Sequence, residues 1–322
     1  MDYTNKDRNL FRYYELESLV YRISDHLPKR FYERTHYGNR PILSIEDGRK
    51  EIINLVNSNK PFMVGRYGTG EGRALAEYFQ IQLGLRKKYY DRTRHFLCCN
   101  AGFFPNETKA IDKWAELLAT ASPECDIMGV MNFYCEGWIV EKLCQNAILM
   151  PNGGIGSAKS GYTHCLKGKN ILVVHPMIKT IEDQYYNHRK EIFPGSNALP
   201  EFELQTLKAI NTQADATDPR FSTWFDALDY MTEEVSKKDF DIALIGCGAY
   251  GFPLAARIKQ MGKSSIQMAG ALQYLFGIKN TRSDNNSYIR SLYNDSWVYP
   301  DESDRPAGSE KIEGGCYWKP LK

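Results

Sequence analysis

Short, fully apolar runs recur along the chain, each followed by a glycine- or proline-marked loop and then by apolar positions at helical spacing. Runs of this kind read as strands buried on both faces, and their alternation with helices predicts a mainly parallel sheet. The first unit predicts a strand over 61–67, a loop over 68–72 and a helix over 73–83. The second predicts a strand over 125–131 and a helix over about 136–144. The third runs from a strand over 170–174 through His175-Pro176 to a helix over about 181–193, with Thr180 and Asp183 spaced as a capping box. The fourth is the most marked: a strand over 242–245, a turn with Gly246, Gly248 and Gly251, and a helix opened by Pro253 and closed by Gly262.

These units predict one Rossmann-like α/β domain over 45–282, a mainly parallel sheet flanked by helices. Residues 1–44, polar and arginine-rich, are expected to add a helical N-terminal extension, and the irregular segment 283–322 a strap laid over the same domain. In such sheets the loops after the strands share one edge, and ligands bind in the crevice there. Residues 68–72, 175–180 and 246–251 are therefore expected to meet.

The fourth turn spells G-x-G-x-x-G, which lets backbone N–H groups at a helix N-terminus approach a phosphate. It serves equally as a structural tight turn. A dinucleotide site would need an acid at the end of the next strand, about 20 residues on, to hold a ribose hydroxyl. That strand, 264–268, runs into Ala269-Gly270-Ala271, and the next acid is Asp284. A nicotinamide-dependent oxidoreductase is thereby the second reading, not the first.

With 322 residues the chain can bury a large core, and its net charge of +2 gives no field that would single out nucleic acid. Its eight cysteines include no C-x-x-C pair, so they read as small buried residues of a reducing cytoplasm. No apolar run reaches the ~20 residues needed to span a bilayer. Peripheral contact with the inner membrane face stays open.

Arg66-Tyr67-Gly68-Thr69-Gly70-Glu71 sets a cation and a carboxylate around a glycine turn. Arg66 suits a diphosphate. Glu71 suits a divalent cation, a general base, or the cap of the following helix. His175 reads as a base, a phosphate donor, a metal ligand or a structural side chain. Gln184, Tyr185, Arg189 and Glu201 are weaker candidates for the cleft. Asn100, opening the aromatic turn 100–105, would floor a base or sugar pocket or join the core. Signatures of hydrolase elbows, P-loops and zincins are absent from the sequence.

Residues 66–71 resemble the Arg-Phe-Gly-Asp-Gly-Glu signature of the GT-D-type glycosyltransferases of bacterial polysaccharide clusters. The segments 246–255 and 269–278, together with 100–105, His175-Pro176 and 314–318, are similar to further parts of that group. The resemblance implies a GT-D-like Rossmann fold and transfer of a sugar from a nucleotide diphosphate, a UDP-sugar by analogy, to a glycan or lipid-linked acceptor in surface polysaccharide synthesis. Taken with the reading of the residues themselves, donor binding is expected of Arg66, Gly68, Thr69, Asn100, Gly248, Tyr250, Gly251 and Gln273, and catalysis of Glu71 and His175, with Glu71 the residue that matches the family's glutamate. In the family an Asp-x-Glu pair serves the donor and its Mn2+ or Mg2+. Here Thr69 stands in the place of the aspartate and leaves Glu71 as the lone carboxylate, so a catalytically silent nucleotide- or glycan-binding relative is a further alternative.

Overall fold

Seven short strands carry side chains alternately into two hydrophobic cores, one on each face of the sheet. Met63, Met128, Leu172 and Ile245 point into one core, and Val64, Ile127, Val173 and Leu244 into the other. A strand buried on both faces must be apolar throughout, which is why these segments read as unbroken runs. The computed structural model describes residues 3–27, 34–156, 161–216, 218–306 and 308–319. Lys29 and Arg30 of the basic N-terminal region lie outside these.

A hairpin of β1 (His36–Tyr37) and β2 (Arg40–Pro41) precedes the sheet. The sheet comprises β3 (Met63–Gly65), β4 (Ile127–Val130), β5 (Ile148–Pro151), β6 (Asn170–His175), β7 (Glu203–Lys208), β8 (Ile242–Ile245) and β9 (Ser264–Gln267). Their order is β5-β4-β3-β9-β8-β6-β7, and every pair is parallel. The fold is thus a Rossmann-like α/β arrangement, as the alternation of runs and helices predicts. The chain builds outward from β3 to β5, crosses over, and returns through β8 to set β9 beside β3. The reversal opens a crevice at the carboxyl ends of β3, β9, β8 and β6.

Two strands escape the sequence pattern. β7 is an edge strand whose side chains are partly exposed, so its Glu203–Lys208 segment lacks an apolar run. β5, at the other edge, ends on Pro151, a residue that edges tolerate. Seven of the eight cysteines are buried.

The expected helices shift at their N-termini. The first begins at Thr69, so residues 69–72 form its opening turn and not a free loop. The helix after His175 spans Ile178–Ile192, which places Thr180 inside it and removes the expected capping box. Asp304 of the strap supplies the cap instead, accepting from the Thr180 backbone N–H at 3.0 Å and its hydroxyl at 2.7 Å. Thr180 Oγ1 in turn accepts from the Asp301 N–H at 2.9 Å. Trp297, Ile312 and Trp318 of this C-terminal segment are buried in the second core.

Candidate functional site

The crevice holds a cavity of about 540 Å3, within the range of small-ligand sites. Of the residues expected in it, Glu71, His175, Arg66, Gly68, Thr69, Asn100, Gly248, Tyr250 and Gln273 line its wall. Gly251 does not. A Cβ there would lie 3.0 Å from Gln267 Nε2, so Gly251 lets the helix Gly251–Gln260 approach the sheet and faces away from the ligand space.

The turn after β3 is open to the cavity. Gly68 is the N-cap of the fourteen-residue helix Thr69–Gln82 and offers no side-chain cap. Gly72 N–H bonds the Gly68 carbonyl at 2.7 Å, while the amides of Thr69, Gly70 and Glu71 have no partner among the described residues. Orphan amides and the helix dipole favour an anion at such a point. Glu71 folds its carboxylate back over Gly68, where a Cβ would stand 1.9 Å from Oε2. It therefore lies on its own helix N-terminus while lining the cleft. Thr69 is exposed and brings a hydroxyl where a second carboxylate would stand.

Arg66 is held by its backbone, whose N–H donates to Gln267 Oε1 at 2.9 Å. Among the described residues its guanidinium reaches the Tyr67 carbonyl at 3.4 Å and the Met131 sulfur at 3.2 Å. Burial lowers its pKa below the usual arginine value, Glu71 opposes that shift, and Arg282 adds to it. Gln267, at the end of β9, occupies the position where a dinucleotide fold would carry its ribose-binding acid.

The turn after β8 is closed. Gly248 has φ +58°, and a Cβ on it would meet the Ala101 carbonyl at 2.7 Å. The Ala249 amide donates to that same carbonyl at 3.0 Å, and the Tyr250 amide to Cys247 O at 3.3 Å. A Cβ on Gly246 would meet the Ala269 carbonyl at 2.7 Å. These glycines let three backbone segments converge; Gly246 N–H is held by the Val174 carbonyl at 2.9 Å, while Gly248 N–H has no partner among the described residues. Tyr250 stacks on Trp224 at 4.9 Å and donates its hydroxyl to Thr212 at 2.9 Å, a packing role behind the wall.

His175 ends β6 with 2% exposure. Burial lowers its pKa to about 3, so the ring is neutral at physiological pH. Its Nδ1 accepts the Met177 N–H at 3.0 Å, which puts the remaining proton on Nε2. The geometry makes His175 a hydrogen-bond donor and not a base. Gln273 is oriented similarly. Ser283 N–H fixes the Asn280 amide at 2.7 Å, and Asn280 Nδ2 donates to Gln273 Oε1 at 2.8 Å. Gln273 Nε2 is left facing Met177 Sδ at 3.2 Å, a weak acceptor.

Asn100 ends a π-helical turn, Phe96–Asn100, and its carbonyl is held by Gln213. Gln184, Tyr185, Arg189 and Glu201 do not reach the cavity. Gln184 bonds the Phe276 and Ser296 carbonyls, Tyr185 bonds Phe202, and Arg189 pairs with Glu201 at the surface.

Among the wall residues that sequence reasoning missed are Arg73, Arg92, Arg282 and Tyr317. Arg73 follows the motif by two positions, a signal that was available. Arg282 lies in the four-residue helix Thr281–Asp284 and Tyr317 in a turn, both too short for periodicity to mark them. Arg282 lies over the Tyr317 ring at 5.3 Å, and the Tyr317 ring passes 3.6 Å from where a Gly270 Cβ would be. Four arginines thus line the cleft against one carboxylate, Glu71.

Against protein-family models, curated proteins and solved structures the chain finds no match. The cleft itself has to carry the reading. A resident divalent metal would have a single carboxylate, Glu71, among the described lining residues, with Asn and Gln side-chain carbonyls as further oxygen donors. Among the described residues no group of three or more His, Cys, Asp or Glu could hold a metal ion. Nor is any described helix long and apolar enough to cross a membrane.

Proposed function

We propose that the protein is a glycosyltransferase that uses a nucleotide-diphosphate sugar, with a UDP-sugar as the leading donor and a glycan or lipid-linked glycan as acceptor. The observation that carries this reading is that Arg66, Arg73, Arg92 and Arg282 line one cavity together with the N-terminal turn of the helix Thr69–Gln82. A diphosphate matches that charge and geometry. The working site would lie on the cytoplasmic side of the membrane.

In transfer, the acceptor oxygen forms a bond to the sugar's anomeric carbon while the bond from that carbon to the phosphate oxygen breaks, and the diphosphate leaves with the electron pair. Arg66, Arg282 and the Thr69–Glu71 amides would stabilise that growing charge. His175 Nε2 and Gln273 Nε2 would donate to sugar or phosphate oxygens. Glu71, the one carboxylate in the cleft, would take the proton of the acceptor hydroxyl. This assignment needs no metal-borne step.

The test is a thermal-shift screen of nucleotide sugars, with and without Mn2+, alongside NAD and NADP. A rise in melting point with one class of nucleotide sugar is expected, growing with concentration. A rise with NAD or NADP alone would replace this reading with an oxidoreductase. UDP binding with no transfer or hydrolysis would point to a silent binding relative.

A further inference from the structure

The helix Asn5–Asp25 is apolar on two sides. One side is used: Phe11 packs on Trp138 at 5.4 Å and Tyr14 against Tyr37 at 6.2 Å. The other carries Tyr13, Leu16, Val20, Ile23 and Leu27, spaced three and four apart, with Leu19 beside them. These are exposed, Leu16 by 64%, Tyr13 by 58% and Ile23 by 50%. A stripe of this spacing is one continuous face of a helix, and it is exposed among the described residues.

The charges on the helix are sorted between the two sides. The acids are engaged with the chain itself. Asp7 pairs with Lys142, Glu17 with Arg34, and Glu15 accepts from Tyr134 and Gln80. Asp25 also has a partner within the chain. The bases Lys6, Arg8, Arg12 and Arg22 are exposed, and none has a carboxylate partner among the described residues. An apolar stripe flanked by unpaired cations is the pattern of a helix lying in an anionic lipid interface. Pairing with a second copy through this stripe would instead bring the arginine-flanked faces together.

We infer that the helix Asn5–Asp25 docks the protein on a bilayer surface of anionic phospholipid, with the stripe from Tyr13 to Leu27 in the headgroup boundary. The inference rests on this helix alone and not on the reading of the cleft.

Sedimentation with vesicles tests it. The intact protein should pellet with vesicles of phosphatidylglycerol and phosphatidylcholine in equal parts, remain in solution with phosphatidylcholine alone, and be released by raised salt. Leu16→Glu with Ile23→Glu should abolish pelleting. Arg12→Glu with Arg22→Glu should weaken it by on the order of tenfold or more. All four positions are exposed, and an unchanged melting point would verify the fold of each double variant. Failure of the unaltered protein to bind the anionic vesicles would overturn the inference, as would undiminished binding by both variants. Analytical ultracentrifugation covers the other occupant: a dimer that Leu16→Glu with Ile23→Glu turns into monomer would assign the stripe to self-association.

Discussion

Two glycine turns line the same cavity, and the fold has satisfied their amides to different degrees. The turn after β8 has the better-known pattern, yet its Ala249 and Tyr250 amides are bonded to the chain and Gly246 and Gly248 make room for backbone. The turn after β3 has the less specific pattern, yet it leaves three amides and a cation facing the cavity. A glycine motif therefore states that something approaches closely. Whether that is a ligand or another strand depends on which amides the fold has already satisfied.

The sharpest break of this comparison is at Glu71. Glu71→Gln keeps the shape of the β3 turn and should lower sugar transfer by about 100-fold or more, with the circular dichroism and melting point unchanged. Wild-type turnover would remove Glu71 from the chemistry. At the β8 turn the effect should fall on stability. Gly248→Ala adds a Cβ at positive φ against a carbonyl and should cost roughly 2–4 kcal/mol in urea unfolding, while the protein that remains folded binds nucleotide with little change. Equal loss of affinity in this variant and in Arg66→Ala would erase the distinction.

Arg66→Ala and Arg282→Ala should each weaken nucleotide-diphosphate binding by about 10- to 100-fold, as expected for a charged hydrogen bond of ~1.5–3 kcal/mol, with calorimetry as the readout. The smallest effect concerns His175. The unfolded chain takes up a proton near pH 6.5, whereas the folded ring resists protonation until about pH 3. The unfolded state thus binds more protons in that window, and stability falls as pH drops through it. His175→Gln should flatten this acid slope in urea titrations at successive pH values. Because glutamine also presents an Nε2 donor, it should retain much of the transfer activity that His175→Ala loses. A transfer rate that follows a histidine titration near neutral pH would restore the base role.

The central strands were legible because burial on both faces demands apolar residues throughout. Glu71, Arg66 and His175 were legible because they follow such runs directly. The edge strands β5 and β7 were not, since one exposed side mixes polar residues into the pattern. Thr180 misled for a different reason: a threonine with an acid three residues on looks like a cap, and only the packed strap reveals that Asp304 fills that role from a distance. Arg282 and Tyr317 reach the cleft through tertiary packing alone, which no local pattern encodes.

The convergence of Arg66 and Arg282 has a consequence for handling the protein. One directly follows the first strand of the sheet and the other lies in chain beyond the last, and the positive charge of Arg282 opposes that of Arg66. A multivalent anion between them would tie these distant segments together as a non-covalent staple. The ionic composition of the buffer then becomes part of the fold, and melting in phosphate should occur higher than in chloride at equal ionic strength.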